Sequence, residues 1–351
     1  MALFIFSLSP RAEAAGAPSV SAARAIVIHS GGEVVFEKNA DVPSLIASTT
    51  KIMTAIVSIE NGSLDEIVAI KPEWCGIEGS SMYLMAGQEY SVRELITGLM
   101  LASGNDAALA LAGHVAGDEA AFVNLMNRKA AELGMTSTHF INPHGLNAEG
   151  HCSTARDMAR LMDYCMRNPD FAQIAGMKSS VVGEQTLINH NKLLGRYPGC
   201  IGGKTGYTEL AGRCLVSCSE REGLRFICVT LAAPDDWNDH QKLYDWAYSA
   251  FGLREVTEGL SFDIPVISGS AGSVRAVPEK LELFLHRSAQ LELKCEMPYF
   301  VFAPVCAGET AGKITVYLDG EKIAETQLLY EESVEPAARA ERILERILKL
   351  T

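Results

Sequence analysis

Hydrophobic positions in the first part of the chain recur at two different periods. The stretch "AIVIHSGGEVVFEKN" holds two β-like runs around Ser30-Gly31-Gly32, the pattern of a hairpin. From about residue 44 to residue 61 the spacing becomes helical, and Gly62 follows as the residue that ends the helix. "SVRELITGLMLA" and "NDAALALAGHVAG" repeat apolar positions at helical spacing on either side of Ser103-Gly104. "DEAAFVNLMNRKAAELG" does the same and stops at a glycine, and "STARDMARLMDYCMRN" opens on cap-type residues.

After Gly202-Gly203 the period changes to that of strands, in "GRCLVSCSE", a turn and "LRFICVTLAA", before "DHQKLYDWAYSAFG" returns to a helix. Strands at both ends therefore flank a helix-rich middle. This predicts an α+β domain over residues 24–255, one antiparallel sheet built from the ends and packed on a helical cluster. From Val256 short alternating strands and a Leu318-Asp319-Gly320 turn predict a small all-β domain over 256–332. Residues 333–351 read as an amphipathic helix with Pro336 at its start. Ala340, Ile343, Leu344, Ile347 and Leu348 form one face, opposite Arg339, Arg342, Arg346 and Lys349. Such a helix can lie in a lipid interface, so peripheral membrane contact is expected.

Composition narrows this picture. With 48% hydrophobic and 21% charged residues, the chain can bury a sizeable core. The net charge of −13 excludes nucleic acid as a partner, because phosphate binding needs a basic surface. Residues 1–23 resemble a truncated export leader: an apolar run, Ala2 to Leu8, and a small-residue site, Ala12-Glu13-Ala14, without the basic start. No apolar run is long enough to span a bilayer, so the expected location is extracytoplasmic and peripheral. Nine cysteines form no CxxC, and Cys214, Cys218 and Cys228 sit in apolar strand-like runs that suit buried thiols. Exported chains usually pair or lose their cysteines, so these two features pull against each other.

The chemistry centres on "ASTTKIMTA". Ser48 and Lys51 are three residues apart, within reach on one helix face. The helix is apolar nearly all round, which predicts burial, and burial pulls a lysine pKa down from about 10.4. A lysine that is neutral part of the time can take the serine proton. An SxxK alone recurs by chance, but this one is the only SxxK in the chain. Ser103-Gly104-Asn105 follows 55 residues later, and the only KTG, Lys204-Thr205-Gly206, lies 101 residues beyond that. The ordered trio SxxK, SxN, KTG is specific.

On these motifs the sequence is similar to the low-molecular-mass penicillin-binding proteins, the serine-type D-alanyl-D-alanine carboxypeptidases. The resemblance extends through "GSSMYLMAGQEYSVRELITGLMLASGNDAALALA", "FINPHGLNAEGHCSTARDMA", "NHNKLL" and "IGGKTGYTELAGRC", from residue 25 to residue 253. It implies a DD-peptidase/β-lactamase-like fold, with the tail domain and terminal helix matching less specifically. It also implies removal of the terminal D-alanine from peptidoglycan stem peptides, and β-lactam antibiotics as covalent inhibitors. By the same resemblance Ser48 is the nucleophile, Lys51 its base, and Ser103 and Asn105 the rest of the relay. Lys204 and Thr205 hold the substrate carboxylate, Gly206 lets substrate lie close, and the N–H groups of Ser48 and Tyr207 form the oxyanion hole. Some members carry an arginine near the helix after the last core strand. Here that stretch is "APDDWNDHQKL", so carboxylate recognition is expected to rest on Lys204 and Thr205.

Rival readings are a serine β-lactamase and a non-catalytic penicillin sensor. A class A lactamase needs the glutamate of ExxLN, and Pro143 stands at that position before Leu146-Asn147. A sensor usually loses part of the relay, whereas all six polar side chains are present. Transpeptidation normally accompanies longer chains with a membrane span. His139, His144 and His151 lack metal-ligand spacing, and His144 and His151 are expected to order a loop near the cleft; no metal or organic cofactor is expected.

Overall fold

The computed structural model describes residues 2–8 and 16–338. They belong to two compact units, Gly16–Tyr248 and Met1–Ala15 together with Ser249–Thr351.

The first unit is organised by a five-stranded antiparallel sheet. Its strands are β1 (Arg24–His29), β2 (Val34–Lys38), β3 (Cys200–Thr208), β4 (Gly212–Arg221) and β5 (Leu224–Leu231), in the spatial order β2-β1-β5-β4-β3. As the pattern predicts, the two ends of the unit meet: Ile26 of β1 lies opposite Val229 of β5. The core of β1, "AIVI", is buried without alternation, which requires cover on both faces. Helix α5 (Ala155–Cys165) packs on β1, β4 and β5. Helix α7 (Asp236–Ala250) is fastened to the sheet by buried side chains. His240 bridges Ser217 and Thr230 at 2.7 and 3.0 Å, and Tyr244 reaches Ser217 at 2.8 Å.

The helical cluster surrounds α1 (Lys51–Asn61), whose residues from Lys51 to Ser58 are all buried. Around it stand α2 (Val92–Leu101), α3 (Asn105–Ala116), α4 (Glu119–Glu132), α5 and α6 (Pro169–Gly176). Helix α2 starts with a capping box in which Ser91 and Glu94 satisfy each other's backbone N–H. The helix expected from about residue 44 starts later. Ala47 has a left-handed φ of +46°, and Ala47–Thr50 form a 3-10 turn leading into α1. The hydroxyls of Thr49 and Thr50 bond back to the carbonyls of Ile46 and Ala47, at 2.6 and 2.8 Å, which supports the tighter turn. Ser44 instead bridges Ser153 as extended chain.

In the second unit a seven-stranded sheet follows the order Ala2–Leu8, β8, β10, β11, β7, β6, β9. Here β6 is Phe262–Ile267, β7 Ser273–Pro278, β8 Leu291–Met297, β9 Val301–Phe302, β10 Thr310–Leu318 and β11 Glu321–Tyr330. Strand β8 alternates buried and half-buried residues along its whole length, as a sheet with one face on a core demands. The turn between β10 and β11 places Asp319 and Gly320 at φ +52° and +85°, the two positive values that a two-residue hairpin takes. The apolar run read as part of a leader lies here as an edge strand, Ala2 opposite Met297 and Leu8 opposite Leu291. Its aromatic and β-branched residues suit a strand, and β8 offers an otherwise unpaired edge. Of the helix expected over 333–351, residues 339–351 lie outside the described residues; over 333–337 the chain is extended instead, Val334 bridging Val305 and Pro336 bridging Gly269.

Candidate active site

Four local structures converge on Ser48. The first is the 3-10 turn itself, held from outside by the loop "NPHGLN". Gly145, at φ +86°, passes so close that a Cβ there would stand 2.0 Å from the Ala47 carbonyl oxygen. Asn142 shapes that loop by accepting from the Gly145 N–H at 2.7 Å and donating to the Leu146 carbonyl at 2.9 Å. His151 and Thr50 are joined at 2.9 Å, and His144 lies beside them. Burial pushes both imidazoles down to about 4, so they order the loop as neutral rings.

The second structure is the α2–α3 junction. Ser103 adopts a left-handed φ of +59°, and Asn105 opens α3 with its N–H donated to the Ser80 carbonyl at 2.8 Å. A non-glycine residue held there stores strain of about 1 kcal/mol or more, which the surroundings must impose. Asp106 does much of the imposing. Its buried carboxylate accepts from the Ser81 hydroxyl and from the N–H groups of Met82, Leu84 and Ala107, at 2.6 to 3.0 Å. The third structure is β3, which presents Lys204, Thr205, Gly206 and Tyr207. A Cβ on Gly206 would stand 3.0 Å from the Ser48 nitrogen, so this strand runs directly past the serine.

Behind the serine lie two sets of buried polar groups, one around Lys51 and one around Lys204. Lys51 is fully buried, and its Nζ stands 2.9 Å from Ser48 Oγ, 2.6 Å from Asn105 Oδ1 and 2.7 Å from the His144 carbonyl oxygen. Asn105 donates its Nδ2 to the Glu78 carbonyl at 2.6 Å, which fixes its oxygen toward the lysine. Lys204 Nζ donates to Ser103 Oγ at 3.1 Å and to the Thr205 carbonyl at 2.9 Å. Both lysines are depressed by burial: Lys204 to about 7, and Lys51 well below its ordinary value because it feels the Lys204 charge as well. Asp106 opposes that fall.

The fourth structure, Arg213 of β4 with Asp236 and Trp237 at the start of α7, borders a cavity of about 320 Å³ in front of the serine. Ser48, Ser103, Thr205, Gly206 and Tyr207 line it, while Lys51, Asn105 and Lys204 sit behind its wall. All eight residues singled out in the sequence thus gather in one place. Six lining residues lie outside that set: Ser80, His190, Lys192, Arg213, Asp236 and Trp237. Arg213 matters most. It holds Asp236 through both carboxylate oxygens at 2.7 and 3.0 Å and lies 5.5 Å from the Trp237 ring. The stretch after the last core strand carries no arginine, as its sequence shows, but Arg213 reaches the pocket from β4. The register of the hairpin carries the signal: Arg213 lies directly opposite Tyr207, so the two share a sheet face.

Comparison with known proteins follows the same lines. Residues 11–235 match the family described as D-alanyl-D-alanine carboxypeptidase, and residues 263–336 match the C-terminal domain of penicillin-binding protein 5. The chain is 30% identical over 325 residues to D-alanyl-D-alanine carboxypeptidase DacF of Bacillus subtilis, covering 87% of this chain and 84% of that protein. It is 33% identical to DacC of Escherichia coli over 365 residues, covering 95% and 90%. Among solved structures, the D-alanyl-D-alanine carboxypeptidase DacD of Francisella tularensis superposes with a TM-score of 0.70 at 28% identity. That alignment covers 92% of this chain and 95% of that one.

Proposed function

The chain belongs to the D-alanyl-D-alanine carboxypeptidase family of serine hydrolases, and from that premise we propose how its residues remove the terminal D-alanine of peptidoglycan stem peptides. The observation that carries the reading is the surroundings of Lys51 Nζ. Two of its three neighbours, the Asn105 and His144 carbonyl oxygens, can only accept. A neutral amine has two N–H groups for those acceptors and one lone pair left, and the remaining neighbour is the Ser48 hydroxyl. The site thus suits an unprotonated lysine that accepts the serine proton.

Ser48 Oγ attacks the carbonyl of the penultimate D-alanine, and its proton passes to Lys51. The N–H groups of Ser48 and Tyr207 hold the developing oxyanion. The proton then returns to the departing amine by way of the Ser103 hydroxyl at the cavity wall, Asn105 holding Lys51 in place, and free D-alanine leaves. Water repeats the sequence on the ester with Lys51 again as base. Lys204 and Thr205 hold the substrate carboxylate, and Arg213, preset by Asp236, supplies a second cation near the same end of the cavity. β-Lactams, which carry a similarly placed carboxylate, enter by the same route. The test is release of free D-alanine from diacetyl-Lys-D-Ala-D-Ala and its loss after one equivalent of penicillin.

Two outcomes follow from the charges. Arg213→Ala should raise KM for that peptide about tenfold and change kcat little, since one charge-assisted contact is worth about 1.5 kcal/mol. Any loss of thermal stability should be relieved in Arg213→Ala/Asp236→Asn, which removes the uncompensated buried carboxylate. An unchanged KM would remove Arg213 from substrate binding. In the free enzyme Lys204 must keep its proton to attract the carboxylate, so kcat/KM should fall as pH rises past about 7. Bound substrate raises that pKa, so kcat should keep its value to higher pH. Lys204→Arg should move the falling limb of kcat/KM above pH 10, because a guanidinium does not deprotonate there.

Action on peptidoglycan requires a place outside the cytoplasm, which the Ala12-Glu13-Ala14 site supports. The edge strand Ala2–Leu8 would then exist only before processing. Among the described residues no helix is long and apolar enough to cross a membrane. The amphipathic sequence of residues 339–351 supports peripheral attachment.

A further inference from the structure

The second unit carries an exposed aromatic cluster at the edge of its sheet. Strand β9 lies parallel to β6, with Ile267 opposite Phe302. Tyr299, Phe300 and Phe302 are 67, 48 and 64% exposed, and Ile267 is 40% exposed. The rings of Phe300 and Phe302 meet edge-on with centroids 5.6 Å apart. Single exposed apolar residues are ordinary, whereas three aromatic rings and an isoleucine in one place mark an interaction surface.

The chain leaves the described structure at this same edge. Ala337 donates its N–H to the carbonyl of Ser268, the residue after Ile267, and Ser270 donates to the Glu335 carbonyl. Gly269 and Pro336 form a bridge between them. The sequence that follows has Ile343, Leu344, Ile347 and Leu348 on one helical face, with basic residues opposite. The aromatic cluster and the amphipathic segment therefore start within a few residues of each other.

We propose that Tyr299, Phe300 and Phe302 form a second lipid-contact element, entering the interfacial layer of a bilayer beside the C-terminal segment. The inference rests on the membrane reading of that segment. Phenylalanine and tyrosine suit this layer, where one end of the ring meets hydrocarbon and the other meets water. A second copy of the chain fits less well. Glu331, Glu332 and Glu335 flank the exit of the chain, so a symmetric contact would set acid against acid. The same acids mean that the cluster binds through apolar burial, without help from anionic lipid. The two elements should consequently respond differently to salt: attraction through Arg339, Arg342, Arg346 and Lys349 is screened, and ring insertion is not.

The test is flotation with phosphatidylcholine vesicles, with and without phosphatidylglycerol, at low and high salt. Four proteins are compared: the full chain, the chain lacking residues 339–351, Phe300→Ser/Phe302→Ser, and the combination. The double substitution should lower partitioning at high salt by about tenfold per ring, in the presence or absence of the tail. Deletion of the tail should remove the salt-sensitive, phosphatidylglycerol-dependent part. Unchanged partitioning of Phe300→Ser/Phe302→Ser overturns the proposal, while unchanged partitioning after deletion overturns the tail reading alone. Rates of D-alanine release and thermal unfolding check that each variant is folded. Phe302→Trp provides a second measurement, its emission moving to the blue on vesicles. A blue shift without lipid that deletion of 339–351 abolishes means the chain covers its own cluster, and one that grows with protein concentration means a second copy does. Either result overturns the proposal.

Discussion

Ser48→Ala should abolish D-alanine release while leaving the protein folded. Loss of a catalytic nucleophile typically costs on the order of 10⁴–10⁶ in rate, since the residual rate comes only from binding and the oxyanion hole. The fold should survive because Ser48 is half-buried at the cavity wall and the hydrogen-bonding partner found for its hydroxyl is Lys51. Removing the hydroxyl leaves the two carbonyl acceptors of Lys51 in place, so the buried amine stays satisfied. The measurement is release from diacetyl-Lys-D-Ala-D-Ala by wild type and variant, with thermal unfolding as the control. Substantial turnover by a folded Ser48→Ala protein would place the nucleophile elsewhere.

Penicillin should yield an adduct on Ser48 that outlives the peptide acyl-enzyme by orders of magnitude. Opening of the lactam ring leaves the amine tethered to the acyl group, so it stays in the cavity and obstructs the path of water. The peptide's D-alanine, in contrast, diffuses away. A lactamase overcomes the obstruction with a carboxylate that activates water. Here Pro143 occupies the sequence position of that carboxylate, and its carbonyl oxygen is bound by the Thr54 hydroxyl at 2.5 Å. Among the described residues lining the cavity the one carboxylate is Asp236, and Arg213 occupies both of its oxygens. Intact-mass measurement should show one adduct decaying over minutes or longer, with peptide mapping placing it on Ser48. Steady, rapid hydrolysis of penicillin with no trapped species would favour the lactamase reading instead.

Much of this site was legible in the sequence because its parts are local. Ser48 and Lys51 are one helical turn apart, Ser103 and Asn105 flank one glycine, and Lys204, Thr205 and Gly206 are adjacent. The change of hydrophobic period likewise predicted a sheet made from both ends of the unit. Features that depend on distant partners were not visible. Arg213 enters the cavity only through the register that sets it opposite Tyr207. The clamp of Asp106 on residues 81–84 joins a helix start to a loop more than twenty residues earlier. The late start of α1 reflects the left-handed Ala47, which the pressure of Gly145 against its carbonyl helps to hold. The run Ala2–Leu8 has a composition common to leaders and edge strands, so pattern alone could not separate the two.

The pairing of β1 with β5 also governs the order in which the protein can assemble. Ile26 and Val229 are about two hundred residues apart in the chain, and the centre of the sheet forms only when both are present. A chain emerging from its N-terminus first therefore exposes the β1–β2 hairpin with an unpaired apolar edge until residue 231 has followed. Closing so long a loop is slow, and an apolar edge left open for that time invites pairing with other chains. Yield of the folded protein should thus be limited by aggregation of partly emerged chains, and sequestering residues 24–38 during synthesis or translocation should relieve it.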